Sequence, residues 1–318
     1  MILIGLQDVG PAKYLLALEP YLPETIWVSY PLISNLISDL NQTINWRDTN
    51  PALILTGTTL GPSIEKEMIL FGIDRNIPTI TVIDHWSWYK KRFQLGNNLI
   101  WPDHIIVNDN YAKTQAVNDG VPEHKIFVGG NPLLESIANF DFKKSKDDSL
   151  QCNSIENKLI LFISEEIHSS FPQNSEDYLG YDEYSVINDL IKVMPNDYRL
   201  LIKLHPEEKK DKYSKYLSHN IDIAIDWTFE MMIQIPDLII GMQSMLLLEL
   251  AMHRNDIICY RPNAKSRFYG EEMNIINSAK KINTLSSYLT NKPKIKIDSF
   301  KKKFIGSSRK IARFIEKL

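Results

Sequence analysis

Short apolar runs recur along the chain, and each is followed by a loop of Gly, Pro, Asp or Thr and then by a stretch with helix-like spacing. MILIGL, TIWVSY, ALILTG, TITVID, HIIVND and KIFVGG read as strands buried on both faces, the way parallel sheets look in sequence. Between them, PSIEKEMILFGIDRN and NYAKTQAVNDG read as helices that end at Asn or Gly. The opening run reaches an acid at Asp8 with neither a basic start nor a small-residue cleavage site, so it reads as a first strand rather than a signal peptide. The alternation predicts a doubly wound α/β sheet.

Near Phe140 the pattern turns polar (DFKKSKDDSLQCNSIEN), a composition that cannot bury a core and marks a linker over 141–157. Beyond it the rhythm resumes: KLILFIS, RLLIKLHP, IDIAI, DLIIGM and DIICY read as strands, and YSVINDLIKVM as a helix. The segment DLIIGMQSMLLLELAM is broken by Gln243, Ser244 and Glu249, so it is a strand followed by a helix and not a membrane span. Phe304, Ile311, Phe314, Ile315 and Leu318 recur at helical spacing and predict one amphipathic C-terminal helix despite Gly306. The expected domains are 1–140 and 158–290, both Rossmann-like and facing across a cleft, with 291–318 as a C-terminal helix. No solenoid repeat is visible.

Length and composition sharpen this picture. A chain of 318 residues fits two domains, and 44% apolar residues are enough for two cores. The net charge of -3 argues against a protein that coats nucleic acid. Cys152 and Cys259 stand far apart with no CxxC pairing, which supports neither a disulfide framework nor a cysteine-rich zinc site, and points to a reducing, cytoplasmic compartment.

Ligands of doubly wound sheets bind at the carboxyl ends of strands, so the chemistry is sought there. In RLLIKLHPEE, His205 and Pro206 follow a strand; the proline ends the ladder and the imidazole can donate to a phosphate oxygen. Alone, His205 reads rather as a strand-end histidine bonded to a neighbouring carbonyl. After Gly241, the amides of Gln243, Ser244 and Met245 open a helix that can face a phosphate; alone, Ser244 reads as an N-cap and Glu249 as a helix-face residue. Together the two motifs describe a nucleotide phosphate cradle.

The order of KLHP, the Gly-to-Ser turn, LLLELAM and a strand ending in CYRP resembles the donor half of GT-B glycosyltransferases. It is most similar to bacterial cell-surface polymer transferases, the CDP-glycerol glycerophosphotransferase, sialyltransferase and Kdo-transferase relatives. The resemblance implies that His205 and Ser244 hold the donor phosphate; Gln243-Ser244 stands where the families have Ser-Ser or Ser-Thr. It covers the second half, and the first half matches by architecture only. UDP-N-acetylglucosamine 2-epimerases share this two-domain fold.

In KLILFISEEIHSSF, the resemblance makes Ser164 and Glu165 nucleotide or sugar contacts, and Glu249 is expected to join them at the donor; a solvated acidic turn is the other reading of the loop. Glu165, Glu166 and His168 do not make a metal site, since Asp-x-Asp is absent and His168 has no partner at convincing spacing. The first domain is expected to supply the acceptor site and a catalytic base, with Asp8, Asp84 and His85 as candidates. Trp86, Trp88, Tyr89, Lys90, Lys91 and Arg92 suit stacking on sugars and pairing with anions, or equally an aromatic core with a basic face, and Trp86 and Arg92 are the acceptor candidates. GGNP at 129–132 reads as a hinge turn at a strand end or as a backbone lining of the cleft beside the donor.

The basic C-terminal stretch reads as a helix packed back on the first domain, or as a peripheral contact with anionic lipid at the inner membrane face. The sequence thus predicts a metal-independent, cofactor-free enzyme moving a sugar, sugar acid or polyol phosphate from a nucleotide-sugar or a CDP/CMP-type donor to a glycan or lipid-linked glycan, as in capsule or other polysaccharide biosynthesis. Its rivals are a nucleotide-sugar epimerase, kept open by Glu165 and Glu166, and a non-catalytic nucleotide-sugar binding protein.

Overall fold

A computed structural model describes residues 1–28, 30–140 and 158–318. The expected linker, 141–157, lies outside the described residues. The chain forms two compact units, Met1–Asn139 with Lys301–Leu318, and Phe140–Phe300.

The first unit is built on a seven-stranded sheet of β1 (Ile2–Gly5), β2 (Thr25–Val28), β3 (Gln42–Thr43), β4 (Leu53–Thr56), β5 (Thr79–Ile83), β8 (His104–Val107) and β9 (Ile126–Val128), while β6 (Gln94–Leu95) and β7 (Asn98–Leu99) make a small hairpin. The sheet order is β3-β2-β1-β4-β5-β8-β9, and every pair in it is parallel. All residues of β1, β4 and β5 are buried, as their apolar and threonine-only pattern, free of charges, predicts for strands with helices on both faces. The order reverses between β1 and β4, which makes the loops after these strands the natural ligand position.

The second unit repeats the plan with β10 (Lys158–Ile163), β11 (Tyr198–Lys203), β12 (Ile221–Ile223), β13 (Leu238–Gly241), β14 (Ile257–Tyr260) and β15 (Asn277–Ala279). Its order is β12-β11-β10-β13-β14-β15, again all parallel, with the reversal between β10 and β13. The polar strands β3 and β15, which carry no apolar run in the sequence, form because β2 and β14 leave edges to pair with.

The single C-terminal helix is corrected to two, Asp298–Lys303 and Ser307–Ile315. Gly306 sits between them at φ 88°, a left-handed conformation that ends a helix and suits glycine. Glu135 holds the second start by accepting from the Gly306 amide at 2.5 Å and the Ser308 amide at 2.8 Å. Ile311 and Ile315 are buried in the first unit's core, and Phe314 stacks on Phe127 with ring centroids 4.0 Å apart. The apolar face of this helix is therefore already covered. Among the described residues, no helix is long and apolar enough to cross a membrane.

Candidate functional site

In the second unit, β10 lies between β11 and β13, so the loops after these three strands share one edge. The chain leaves β11 at Leu204-His205-Pro206 and folds back through Glu208. The Glu208 carboxylate accepts from the His205 amide at 2.8 Å, from the Ser164 hydroxyl at 2.7 Å and from the Lys212 ammonium at 2.6 Å. Lys212 also bonds Glu183, and the side chains of Glu208 and Glu183 are 0% and 1% exposed. A largely desolvated ion triad thus underlies the histidine loop, and the His205 side chain is partly exposed.

Ser164 is corrected by this arrangement: it is 2% exposed, and its hydroxyl meets both Glu208 and the Tyr213 hydroxyl. It fastens β10 to the histidine loop and offers no surface to a ligand. Asp182 caps the helix Glu183–Val193 with a capping box to Ser185, so the acids Asp182 and Glu183 mark a helix start.

Glu165, the next residue, reaches across the strand reversal to the turn after β13. Its carboxylate accepts from the Gln243 amide at 2.7 Å and is held by the amides of Ser244 and Met242 as well. Burial pushes its pKa up to about 7, against the opposing pull of these amides and of Arg261, although part of its surface reaches solvent. Ser244 caps the helix Met245–Leu250 through a 3.2 Å bond from the Leu246 amide to its hydroxyl, and Met245 lies in the first turn. Two of the turn amides assigned to a phosphate, those of Gln243 and Ser244, are therefore engaged by an internal carboxylate. Glu249 is buried on the same helix, 6% exposed, and presents little surface to a nucleotide.

A testable consequence concerns pH. A folded pKa of about 7 lies above the ordinary 4.5, so between these values the folded state keeps a proton that the unfolded chain has released. Stability contributed by this group falls as pH rises from 4.5 to 7, and the cost is complete above 7. Glu165→Gln keeps an oxygen for the turn amides and removes the charge. Its melting temperature should match wild type at the acid end and exceed it at pH 8; a gap of equal size at both ends would refute the assignment.

The turn is also braced from behind by a residue that sequence reasoning left unassigned. Arg261, fully buried at the end of β14, donates to the Gln243 side-chain oxygen at 3.2 Å, to the Ser266 carbonyl at 3.0 Å and to Glu271 at 2.5 Å. Its only signal was an arginine directly after an apolar strand, in CYRP.

In the first unit, Asp8 caps the helix Val9–Leu18, accepting from the Val9 amide at 3.1 Å. Asp84 is 9% exposed and lies against the same first turn: a Cβ on Gly10 would meet its carboxylate at 2.5 Å. His85 bonds Ser87 at 2.8 Å, and burial together with the neighbouring Arg92 pushes its pKa down to about 3. It is thus neutral at pH 7 and a weak base, which removes the expected match between His85 and acceptor activation. Trp86 is buried and packs edge-on against Phe304 at 6.2 Å, so it belongs to the core and not to a sugar-stacking surface. Arg92, half-buried, reaches the Ser87 carbonyl at 3.1 Å and the Thr58 hydroxyl at 3.2 Å. Elsewhere in this unit, Asn108, Asp109, Gly129, Gly130, Lys303 and Lys310 line part of a pocket of about 360 Å³.

Two parallel sheets with Rossmann-like strand order, one per unit, define the GT-B class of fold. Solved structures of that class align with nearly all of the chain. A UDP-GlcNAc 2-epimerase from Methanocaldococcus jannaschii in complex with UDP-GlcNAc and UDP matches at a TM-score of 0.70 and 11% identity, covering 100% of this chain and 99% of that one. A UDP-GlcNAc 2-epimerase from Neisseria meningitidis bound to UDP-GlcNAc matches at 0.64 and 11%, covering 100% of both chains. The glycotransferase of kitacinnamycin matches at 0.59 and 11%, covering 99% of this chain and 97% of that one. No family model matches the sequence. No curated protein sequence matches it significantly.

Proposed function

We propose that the protein acts on a nucleotide-activated donor and transfers its sugar, sugar acid or polyol phosphate to a glycan acceptor, with no metal ion. The observation that carries this reading is the shared edge of β11, β10 and β13, where the partly exposed His205 on its braced loop flanks the Gln243-Ser244 turn. His205 donates to the donor phosphate, which gathers charge as it leaves. That phosphate reaches the amides of Gln243 and Ser244 only by displacing the Glu165 carboxylate, and a carboxyl that takes a proton near neutral pH yields readily. As the acceptor oxygen bonds to the sugar carbon, or to phosphorus when a polyol phosphate is moved, the bond to the departing nucleotide phosphate breaks and a carboxylate, proposed as Asp84 or Asp8, takes the acceptor hydroxyl's proton.

Epimerisation is the second reading, and one observation favours it: Glu165 is a partly exposed acid at a strand end whose pKa desolvation pushes up to about 7, as an acid or base working on a sugar requires. Two of the similar structures hold UDP-GlcNAc, which makes it the first donor to test. Incubated with the protein alone, it should remain unchanged under the transfer reading, and release UDP only when a glycan acceptor is added. Conversion to an epimer without acceptor would establish the second reading. A gain in melting temperature with no turnover under either condition would mark a binding protein.

A further inference from the structure

The loop after β4, Gly57-Thr58-Thr59-Leu60-Gly61-Pro62-Ser63, leads into the helix Ile64–Arg75 on the strand-reversal side of the first sheet. It is shaped from inside by cations. Lys66, 2% exposed, donates to the carbonyls of Thr59 at 2.6 Å and Gly61 at 2.5 Å, and Arg92 donates to the Thr58 carbonyl at 3.3 Å. Glu65 takes the Thr59 hydroxyl and the Gln7 amide, each at 2.9 Å. With Glu65 set against Lys66 and Arg92, the groups beneath the loop carry one net positive charge.

Peptide geometry fixes what faces the other way. In a trans peptide, the N–H of one residue points opposite to the carbonyl before it. Carbonyls of Thr58 and Thr59 turned toward Arg92 and Lys66 therefore turn the amides of Thr59 and Leu60 away from the cations. Among the described residues, the amides of Thr59, Leu60, Gly61 and Ser63 donate to no protein acceptor, while Ile64 makes a long 3.4 Å bond to the Gln7 side chain. Leu60, Gly61 and Pro62 are exposed, and a Cβ on Gly61 would meet nothing within 4 Å, so the loop's outer side is open. Ser63 adds an independent sign. It is the N-cap residue of the helix and only 8% exposed, yet its hydroxyl bonds neither the first-turn amides nor any other group. A buried hydroxyl of this kind at the positive end of a 12-residue helix is poised for an anion.

We propose that the 57–63 loop binds a phosphoryl group, held by the amides of Thr59 and Leu60, the Ser63 hydroxyl and the start of the helix Ile64–Arg75, over the positive charge of Lys66 and Arg92. Lys66 and Arg92 act as positioning residues, since their donors are directed at the loop carbonyls. The site lies wholly within the first unit and does not depend on the role proposed for His205. A phosphoryl group reaches it from a free sugar phosphate or from a nucleotide, and both present the same oxygens to the amides.

The test is titration of the isotope-labelled full chain with inorganic phosphate, glucose 1-phosphate and UDP at constant ionic strength, with glucose as the neutral control, following amide resonances. The Thr59 and Leu60 signals should move with at least one of the three phosphates and stay fixed with glucose; the phosphate that moves them at the lowest concentration identifies the source. Ser63→Ala should weaken that response about tenfold, the scale of one lost hydrogen bond to an anion. It should leave the melting temperature unlowered, because the hydroxyl it removes has no partner in the fold. Resonances at Thr59 and Leu60 that ignore all three phosphates, or a response equal in wild type and Ser63→Ala, would overturn the proposal.

Discussion

Replacing Lys212 by Met is expected to destabilise the protein by about 3–5 kcal/mol, the range for removing one partner from a buried charge pair. The substitution removes the ammonium from between Glu183 and Glu208, whose side chains have almost no contact with water, and leaves two carboxylates facing each other without compensation. Burial by itself would lower the Lys212 pKa, yet the two carboxylates outweigh it and raise the value above 10.5. The sign follows: the stabilisation is complete below pH 10.5 and is lost only as pH rises through the higher folded value. Chemical denaturation at neutral pH measures the loss. A change within about 0.5 kcal/mol, as for an ordinary surface substitution, would show that the triad is solvated.

His205→Ala carries the largest effect expected on function. If the imidazole donates to the departing phosphate, its removal should lower turnover of a nucleotide-sugar donor by about 100-fold or more, the usual cost of one donor to developing charge. Donor binding should weaken too, while stability should hardly change, because the side chain is partly exposed and the loop is fixed through the His205 backbone amide. The separation matters: Lys212→Met lowers stability, and His205→Ala lowers activity in a protein that still melts where wild type does. Unaltered turnover in His205→Ala would remove the histidine from the mechanism.

Much of the architecture is legible in the chain because a strand buried on both faces leaves a local mark. ILIG, LILT and TITVI carry no charged residue, the threonine hydroxyls of the last two being bonded inside the protein, and each is a fully buried parallel strand. Elements that failed to show were those lacking such a mark. Gln42–Thr43 and Asn277–Ala279 are polar and become strands only because an edge lies beside them. The break at Gly306 was hidden by an apolar periodicity that continues through it, while Glu135, 171 residues earlier, supplies the group that starts the second helix.

The candidate site divides along the same line. His205 and Ser244 were found as residue types at strand ends, a position that local pattern reveals. Their neighbours' roles were not, because a side chain's chemistry follows from its desolvation and its partners. Ser164 reads as a ligand contact until Glu208, 44 residues away, takes its hydroxyl, and Glu165 reads as a solvated acid until the Gln243 amide, 78 residues away, takes its carboxylate. His85 reads as a base until burial and Arg92 make it a weak one. The sequence by itself determined where strands, turns and candidate groups lie, since apolar periodicity and turn chemistry act over a few neighbouring residues. Only the tertiary structure decided which of those groups are spent on the fold, because burial and hydrogen-bond partners are set by segments far apart in the chain.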